Sequence, residues 1–455
     1  MVRGLDVWMN QELVGQWYLN QTGTPLFQYA EAWLASPRAR SLSLSLPMLP
    51  GNQPHRGVAV AAWFDNLLSD SRDIRERLAR RFRTESTQAL DLLAAIGRDC
   101  AGAVQLMPSG TAPTDVQRID ADPATDAAVA KLLRAVTSSR SFGQLGDPDE
   151  FRISIAGAQE KTALLRRNGQ WFVPRGATPT THILKLPLGL VGNLRFNMQD
   201  SVENEWLCMQ LLRELGFPVA DTEIATFSDE LGDQKVLVVE RFDRQFVAAD
   251  TAAPDEWILR LPQEDLCQAF GLPPERKYES DGGPGIGEIM HLLRAGENSE
   301  EDVLTFAKAQ LAFWLLAAVD GHAKNFSIFL RKNGYVLTPL YDVLSAWPII
   351  GHGSDKLALQ DATLAMAIRG ETRRHRHLNR IATRHWIKLA TETGVPYAAD
   401  SFIDLVERLE SAIERVRRIL PPDFPAYVWT SVTDGAIAQR DQFRLGQQVA
   451  APAIG

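Results

Sequence analysis

The chain has 455 residues, 45% hydrophobic and 23% charged, with 48 Lys and Arg against 56 Asp and Glu for a formal net charge of −8. At about 150 residues per domain, that length suggests roughly three compact units, in a chain able to bury a sizeable core without disulfides or metal. The acidic balance excludes a protein that coats nucleic acid over its whole surface and leaves room for a local basic patch. Cys100, Cys208 and Cys267 are scattered and odd in number. Neither a disulfide framework nor a zinc site is expected from them, and a reducing cytoplasm fits. Asp6, Gln11 and Glu12 precede any apolar run long enough for a signal peptide. The most apolar stretch, 306–319, carries Lys308 and Gln310 and is too short to span a bilayer. A soluble, cytoplasmic chain with no membrane partner is expected.

In chain order, 5–9 and 13–18 read as strands of a hairpin around Asn10, Gln11 and Glu12. Residues 41–46 alternate Ser and Leu strictly, which predicts a strand buried on one face. Helices are predicted over 69–82 and 87–95. The Pro-, Thr- and Asp-rich stretch 108–126 reads as a linker, with a soft boundary near 142–150. Strands are then predicted over 153–156, 162–166, 171–174, 182–186 and 236–240, interrupted by a helix over 201–215. After Arg260 the pattern turns mostly helical, with 302–319 the strongest amphipathic segment and 402–419 another. The expected division is an N-terminal subdomain (1–108), a linker region (109–150), a strand-rich lobe (151–242), a helical lobe (243–446) and a flexible tail (447–455).

Chemistry concentrates in a few places. Asp320, Gly321, His322, Ala323, Lys324 and Asn325 follow the apolar helix directly. An Asp there can accept the proton of a nucleophilic hydroxyl, and an Asn on the same loop can ligate a metal that carries ATP phosphates. The same residues also read as a helix end with a polar turn supplied by Gly321. A strand-like run, 335–337, leads to Tyr341 and Asp342, where a hairpin would return a second acidic group to the same cleft. Asn325 and Asp342 would then hold the metal while Asp320 faces the acceptor.

Lys185 alternates outward from an apolar strand, a place where lysine is usually a solvated edge charge. Paired with a helix glutamate, Glu205 or its neighbour Glu203, it becomes the device that sets an ammonium on ATP phosphates. The stretch 154–161 joins two strands with small residues that let backbone N–H groups approach phosphate oxygens. With Gly157 its only glycine it is neither a Walker A nor a GxGxxG motif, and alone it reads as a turn. Glu240, Arg241 and Phe242 end the last strand, where backbone groups could read an adenine edge; a plain connection with a surface Glu-Arg pair fits equally.

With these parts in this order the chain resembles the HipA family of bacterial serine/threonine kinases, the toxin halves of HipA–HipB toxin–antitoxin systems. The matching segments are RISIAGAQEKTALL (152–165), PTTHILKLP (179–187), VERFDR (239–244), LRLPQEDLCQAFG (259–271), KYESDGGPGI (277–286), DGHAKNFSIF (320–329) and LTPLYDVLSA (337–346). The resemblance implies an α+β, two-lobed protein-kinase-like fold. Its N-terminal part would be strand-rich with an extra N-terminal subdomain, and its C-terminal lobe all-helical.

It further implies Asp320 as catalytic base, Asn325 and Asp342 as Mg²⁺ ligands, and Lys185 on the ATP phosphates with Glu205 as its partner. The loop Ala156, Gly157, Ala158, Gln159, Glu160 and Lys161 would cover those phosphates. Glu240, Arg241 and Phe242 would hold the adenine, and His322, Ala323, Lys324 and Tyr341 would border the nucleotide. ATP and Mg²⁺ follow as cofactors. The implied partners are a HipB-like helix-turn-helix antitoxin dimer, operator DNA through that complex, and glutamyl-tRNA synthetase engaged with tRNA as substrate. Phosphorylating a serine of that synthetase would stop aminoacylation, arrest growth and let cells persist through antibiotics.

Autophosphorylation at Ser154 is implied as well; a phosphate of about −1.5 to −2 charges would repel a loop built for ATP phosphates. In the family the basic stretch 369–380 lies near operator DNA, so Arg373, Arg374, Arg376 and Arg380 are candidate phosphate contacts, with a solvated loop as the alternative. Two rival readings are a kinase for small-molecule or lipid acceptors and a catalytically weak or inactive corepressor. The corepressor would be natural if a metal ligand or the phosphate lysine were missing, yet Lys185, Asp320, Asn325 and Asp342 are all present.

Overall fold

The computed structural model describes residues 3–137, 159–192, 196–249 and 255–450. The chain forms two compact units that interleave along it. The first comprises Met1–Leu186, Glu223–Arg276 and Ser327–Asn333, the second Pro187–Thr222, Lys277–Phe326 and Gly334–Gly455.

The first unit begins with an antiparallel sheet in the order His55–Arg56, Pro25–Tyr29, Glu12–Leu19, Gly4–Met9, Val104–Pro108. The expected hairpin turns at Asn10 and Gln11, which take φ values of 42° and 77° in the left-handed region that asparagine tolerates best. The sheet packs on helices Val58–Asp65 and Ala89–Ile96, with Trp17 stacked on Phe64 at 4.0 Å between ring centroids. A further helix, Arg72–Phe82, starts later than the expected 69 because Ser71 caps it, its side chain accepting from the Ile74 N–H.

Residues 41–46 are not a strand; only an isolated bridge joins Ser43 and Leu46. Side chains take the backbone groups that a sheet would have used. The Leu42 N–H donates to the Tyr29 hydroxyl at 2.7 Å, the Leu44 N–H to Glu264 Oε1 at 2.9 Å, and the Ser45 N–H to Ser43 Oγ at 3.0 Å. Leu42 and Leu46 are buried as the alternation requires, but on a looped path. Glu264 also accepts from the Trp63 indole at 3.1 Å, and burial pushes its carboxyl up to about 8.

The second sheet runs in the order Thr222–Asp229, Gly232–Glu240, His182–Lys185, Lys161–Arg167, Gln170–Pro174, Ala121–Ala124. The strand expected over 153–156 lies outside the described residues. The stretch read as a linker contributes the edge strand Ala121–Ala124 and the helix Asp126–Thr137, which buries Val129, Ala130 and Leu133 against Leu164, Leu184, Val236 and Val238.

A buried ion cluster joins this sheet to the N-terminal one. Asp99 lies 2.9 Å from Arg244 Nη2, 3.3 Å from Arg241 Nη1 and 3.5 Å from Arg260 Nε. The Asp243 carboxylate sits 2.8 Å from Arg241 Nη2 and 2.9 Å from Arg244 Nη1. Burial alone would raise the Asp99 carboxyl, but Arg244, Arg241 and Arg260 hold it well below the usual carboxylate range. Gly102 completes the cluster: its N–H donates to Asp243 at 2.7 Å, and with φ of 72° a Cβ there would stand 2.7 Å from the Gln263 carbonyl.

The second unit is built on helices Ser201–Glu214, Ile286–Arg294, Ser299–Leu315, Thr383–Glu392, Ala398–Arg417 and Ala426–Ala450. It is not all-helical, because it also carries the strand pairs Gly189–Val191 with Phe196–Met198 and Thr363–Arg369 with Arg374–His377. The helix expected over 302–319 is Ser299–Leu315, buried on nearly every face rather than amphipathic. It stops short because the chain turns at Ala317, where φ is 48°. Among the described residues no helix is long and apolar enough to cross a membrane.

Candidate active site

Asp320, Asn325 and Asp342 come together in the second unit. After the buried helix Ser299–Leu315 the chain makes a tight polar loop in which the His322 N–H donates to the Asp320 carbonyl at 2.8 Å and the Asn325 N–H to the His322 carbonyl at 3.0 Å. Gly321 is required here for space rather than for a left-handed turn: a Cβ would come within 2.5 Å of the Phe313 ring. The Asn325 amide nitrogen donates to the Asp320 carbonyl at 2.8 Å and to the Asp342 carbonyl at 3.4 Å, so one side chain ties the two acidic segments together. Its nitrogen thus occupied, the amide has its oxygen Oδ1 to offer a cation.

The Asp342 segment is anchored on both sides. Leu340 exchanges backbone bonds with Pro218 and Ala220, both at 2.9 Å. Asn204 on helix Ser201–Glu214 donates to the Ser345 carbonyl at 2.8 Å and accepts from its N–H at 2.9 Å. The Ser345 hydroxyl donates to the Leu316 carbonyl at 2.6 Å, and the Tyr341 hydroxyl to the Lys324 carbonyl at 2.9 Å. Asp342 itself has φ of 60°, a left-handed conformation that this framework imposes.

His322, Ala323, Lys324 and Asn325 are buried, whereas the Asp320 side chain is 60% exposed. A carboxylate open to solvent on a rigid loop is placed to meet an incoming hydroxyl. Its Oδ1 accepts from the Tyr278 hydroxyl and lies 3.8 Å from His322 Nε2. Tyr278 belongs to KYESDGGPGI, a segment recognisable in the sequence, but no chemical role was legible for it.

Asn325 with Asp342 is an amide-carboxylate pair of the kind that holds Mg²⁺ when phosphates and water complete the oxygen shell. Among the described residues no cluster of three or more His, Cys, Asp and Glu could hold a metal unaided. An amide oxygen and a carboxylate are both hard oxygen donors and fit a hard cation such as Mg²⁺.

The remaining nucleotide candidates among the described residues lie in the first unit, except Glu205. Lys185 ends strand His182–Lys185 opposite Lys161 and Leu237 and is buried, not directed outward. Gln159 donates to the Leu186 carbonyl at 2.5 Å, and Glu160 is ion-paired with Arg77. Ser154, Ala156, Gly157 and Ala158 lie outside the described residues. Glu240 pairs with His182 at the end of its strand. The Arg241 guanidinium is spent in the ion cluster and its N–H on the Thr181 carbonyl, so neither is presented to a base. Phe242 packs edge-on against Phe329, 5.7 Å between centroids. In the second unit, Glu205 and Glu203 are both buried on Ser201–Glu214.

The basic stretch is a hairpin with a solvated turn, and Arg374 on it is itself 65% exposed. Arg374 is ion-paired with Glu279, and Arg376 Nη2 lies 3.8 Å from the same carboxylate. Arg373 and Arg380 are exposed.

Two family descriptions match the chain, a HipA N-terminal domain over residues 5–107 and a HipA-like C-terminal domain over 153–418. Among curated relatives, Y4mE of Sinorhizobium fredii, described as a candidate kinase, is 32% identical over 418 residues, covering 91% of this chain and 92% of its own. The serine/threonine-protein kinase toxin HipA of Shewanella oneidensis is 25% identical over 444 residues, covering 92% and 90%. In fold, the chain is similar to HipA in the solved complex of Shewanella oneidensis HipA with HipB and operator DNA. The TM-score is 0.77 at 23% identity, over 98% of both chains.

Proposed function

The chain belongs to the HipA family, and from that premise we propose that it is an ATP-dependent serine/threonine protein kinase that acts as a growth-arresting toxin. The observation that carries this reading is the Asn325 amide, which fastens the Asp320 and Asp342 segments into one constellation. In the proposed reaction an acceptor serine hydroxyl meets the exposed Asp320 carboxylate, which orients it and takes its proton as the serine oxygen bonds to the γ-phosphorus, while the bond from that phosphorus to the β,γ-bridging oxygen breaks and ADP leaves with the electron pair. Asn325 Oδ1 and Asp342 would hold Mg²⁺, which shields the charge of the transferring phosphoryl group when bound. Lys185, with Glu205 as its proposed partner, and the 156–161 loop serve the phosphates; the main chain at Glu240 and Phe242 serves the adenine.

The proposed acceptor is a serine of glutamyl-tRNA synthetase engaged with tRNA, supported by the resemblance across the catalytic segments. A helix-turn-helix antitoxin dimer and operator DNA are proposed as partners, because the solved relative of the same fold is complexed with HipB and its operator. Ser154 is proposed as a self-inhibiting phosphorylation site. Labelled ATP with Mg²⁺, the synthetase and its tRNA test the reading. Label on a synthetase serine that requires both tRNA and Asp320 supports it. Label confined to Ser154 would keep the kinase and remove the target, and full activity in protein fully phosphorylated at Ser154 would remove the switch.

A further inference from the structure

We propose that Tyr278 is a positioning residue for Asp320, and that the basic hairpin holds it there through Glu279. The inference rests on the kinase reading above and adds to it a route by which residues far along the chain set the geometry of the proposed base. An exposed carboxylate left to itself samples several rotamers, and a base is effective only in hydrogen-bond reach of the proton it takes. The Tyr278 hydroxyl donates to Asp320 Oδ1, which fixes one oxygen and leaves Oδ2 for the acceptor.

Tyr278 is itself held through its ring and its main chain. Its ring meets the buried His322 edge-on at 4.9 Å. Its carbonyl accepts from the N–H groups of Asp281 at 3.0 Å and Gly283 at 2.9 Å, and the carbonyl of the preceding Lys277 accepts from Ala323 N–H at 3.1 Å. The next residue, Glu279, has a side chain only 7% exposed. Its Oε2 accepts from the Ala367 N–H at 2.5 Å in strand Thr363–Arg369, and Arg374 and Arg376 bring their guanidinium groups from the partner strand Arg374–His377. Gly285 leaves room for this carboxylate, since a Cβ there would stand 2.9 Å from Glu279 Oε1. The buried Glu279 carboxylate is thus tied to the Ala367 main chain and to the largely exposed Arg374, so the hairpin holds residue 279, and residue 278 moves little against Asp320. Arg374 and Arg376 therefore have a task in the protein without any DNA.

Initial-rate phosphotransfer by the full chain tests this with Tyr278→Phe, Glu279→Gln, the double variant, Thr372→Ala on the exposed hairpin turn, and Asp320→Ala. Tyr278→Phe keeps the ring and is expected to lower kcat about 10- to 100-fold, with KM for ATP within about twofold. Glu279→Gln is expected to lower kcat by a smaller factor, and the double variant to be no worse than Tyr278→Phe, because both act through one hydroxyl. Thr372→Ala should leave turnover unchanged. An unchanged kcat in Tyr278→Phe, beside an inactive Asp320→Ala, would overturn the inference and spare the kinase reading. Multiplicative losses in the double variant would overturn the clamp. Label recovered on Tyr278 itself would make it an acceptor instead of a positioner, and no transfer by the unaltered chain would sink both readings. Should Tyr278→Phe unfold, the kcat-against-KM split in Glu279→Gln decides the same question.

Discussion

Asp99 and Asp320 are the same side chain put to opposite uses. Asp99 is buried among Arg241, Arg244 and Arg260, and every bond it makes is internal to the first unit. Asp320 stands on a loop of the second unit with its carboxylate 60% exposed and one oxygen bonded to Tyr278. In the first, charge is satisfied within the protein and serves register and rigidity. In the second, the framework is satisfied first, by Asn325, Asn204 and Ser345, so that the Asp320 carboxylate can stay open. Removing the first should cost stability, and removing the second only activity.

The largest expected effect is on turnover. Asp320→Ala should lower phosphotransfer by about 10³-fold or more while the urea unfolding midpoint stays where it was. A variant that unfolds with retained activity would break the contrast. Asp99→Asn should do the reverse, destabilising the chain by about 3–5 kcal/mol in urea titrations, because it strands buried guanidinium groups beside one remaining carboxylate. Asn204→Ala should be intermediate. It removes two buried bonds to Ser345 and should cost about 2–4 kcal/mol, with a loss of turnover that follows the displaced Asp342 segment.

Acid and alkaline limbs sharpen the comparison further. The Asp99 and Asp243 carboxyls, which burial alone would raise, are held below their ordinary values in the folded chain by the surrounding arginines. Their contribution is therefore present above the unfolded carboxylate range, near pH 4, and is lost as pH falls through the folded values. The stability gap between unaltered protein and Asp99→Asn should persist to about pH 4 and shrink only below it. Glu264 has the opposite sign: its carboxyl is pushed up to about 8, so its contribution is full below the unfolded value and fades as pH rises towards 8. Glu264→Gln should flatten the fall in stability between about pH 5 and 8, a slope of at most ~1.4 kcal/mol per pH unit, read by urea melts at each pH.

What the sequence disclosed follows from the same contrast. The open site is nearly contiguous: Asp320 through Asn325 is one loop, Asp342 follows two short strands later, and each motif is readable by spacing. Strands such as Lys161–Arg167 and Gly232–Glu240 carry their own apolar pattern and are equally legible. The closed site is assembled from residues 99, 180, 241, 244 and 260, and no local pattern links them. Arg241 consequently reads as part of an adenine-facing segment although its side chain is spent on Asp99 and Asp243. The Ser-Leu alternation at 41–46 misleads for a related reason: Tyr29 and Glu264, distant in sequence, take the backbone bonds that a strand would need. Arg374 and Arg376 look like free cations until Glu279 is brought to them.

The most direct test of the central claim is a side-by-side transfer assay with labelled ATP and Mg²⁺, comparing the unaltered chain with Asp320→Ala and with Asn325→Ala, each checked for an intact unfolding transition. Transfer by the unaltered chain alone, with both variants folded and inactive, is the predicted result. Equal transfer by Asp320→Ala would contradict it, because the exposed carboxylate of the 320–325 loop would then have no part in the chemistry.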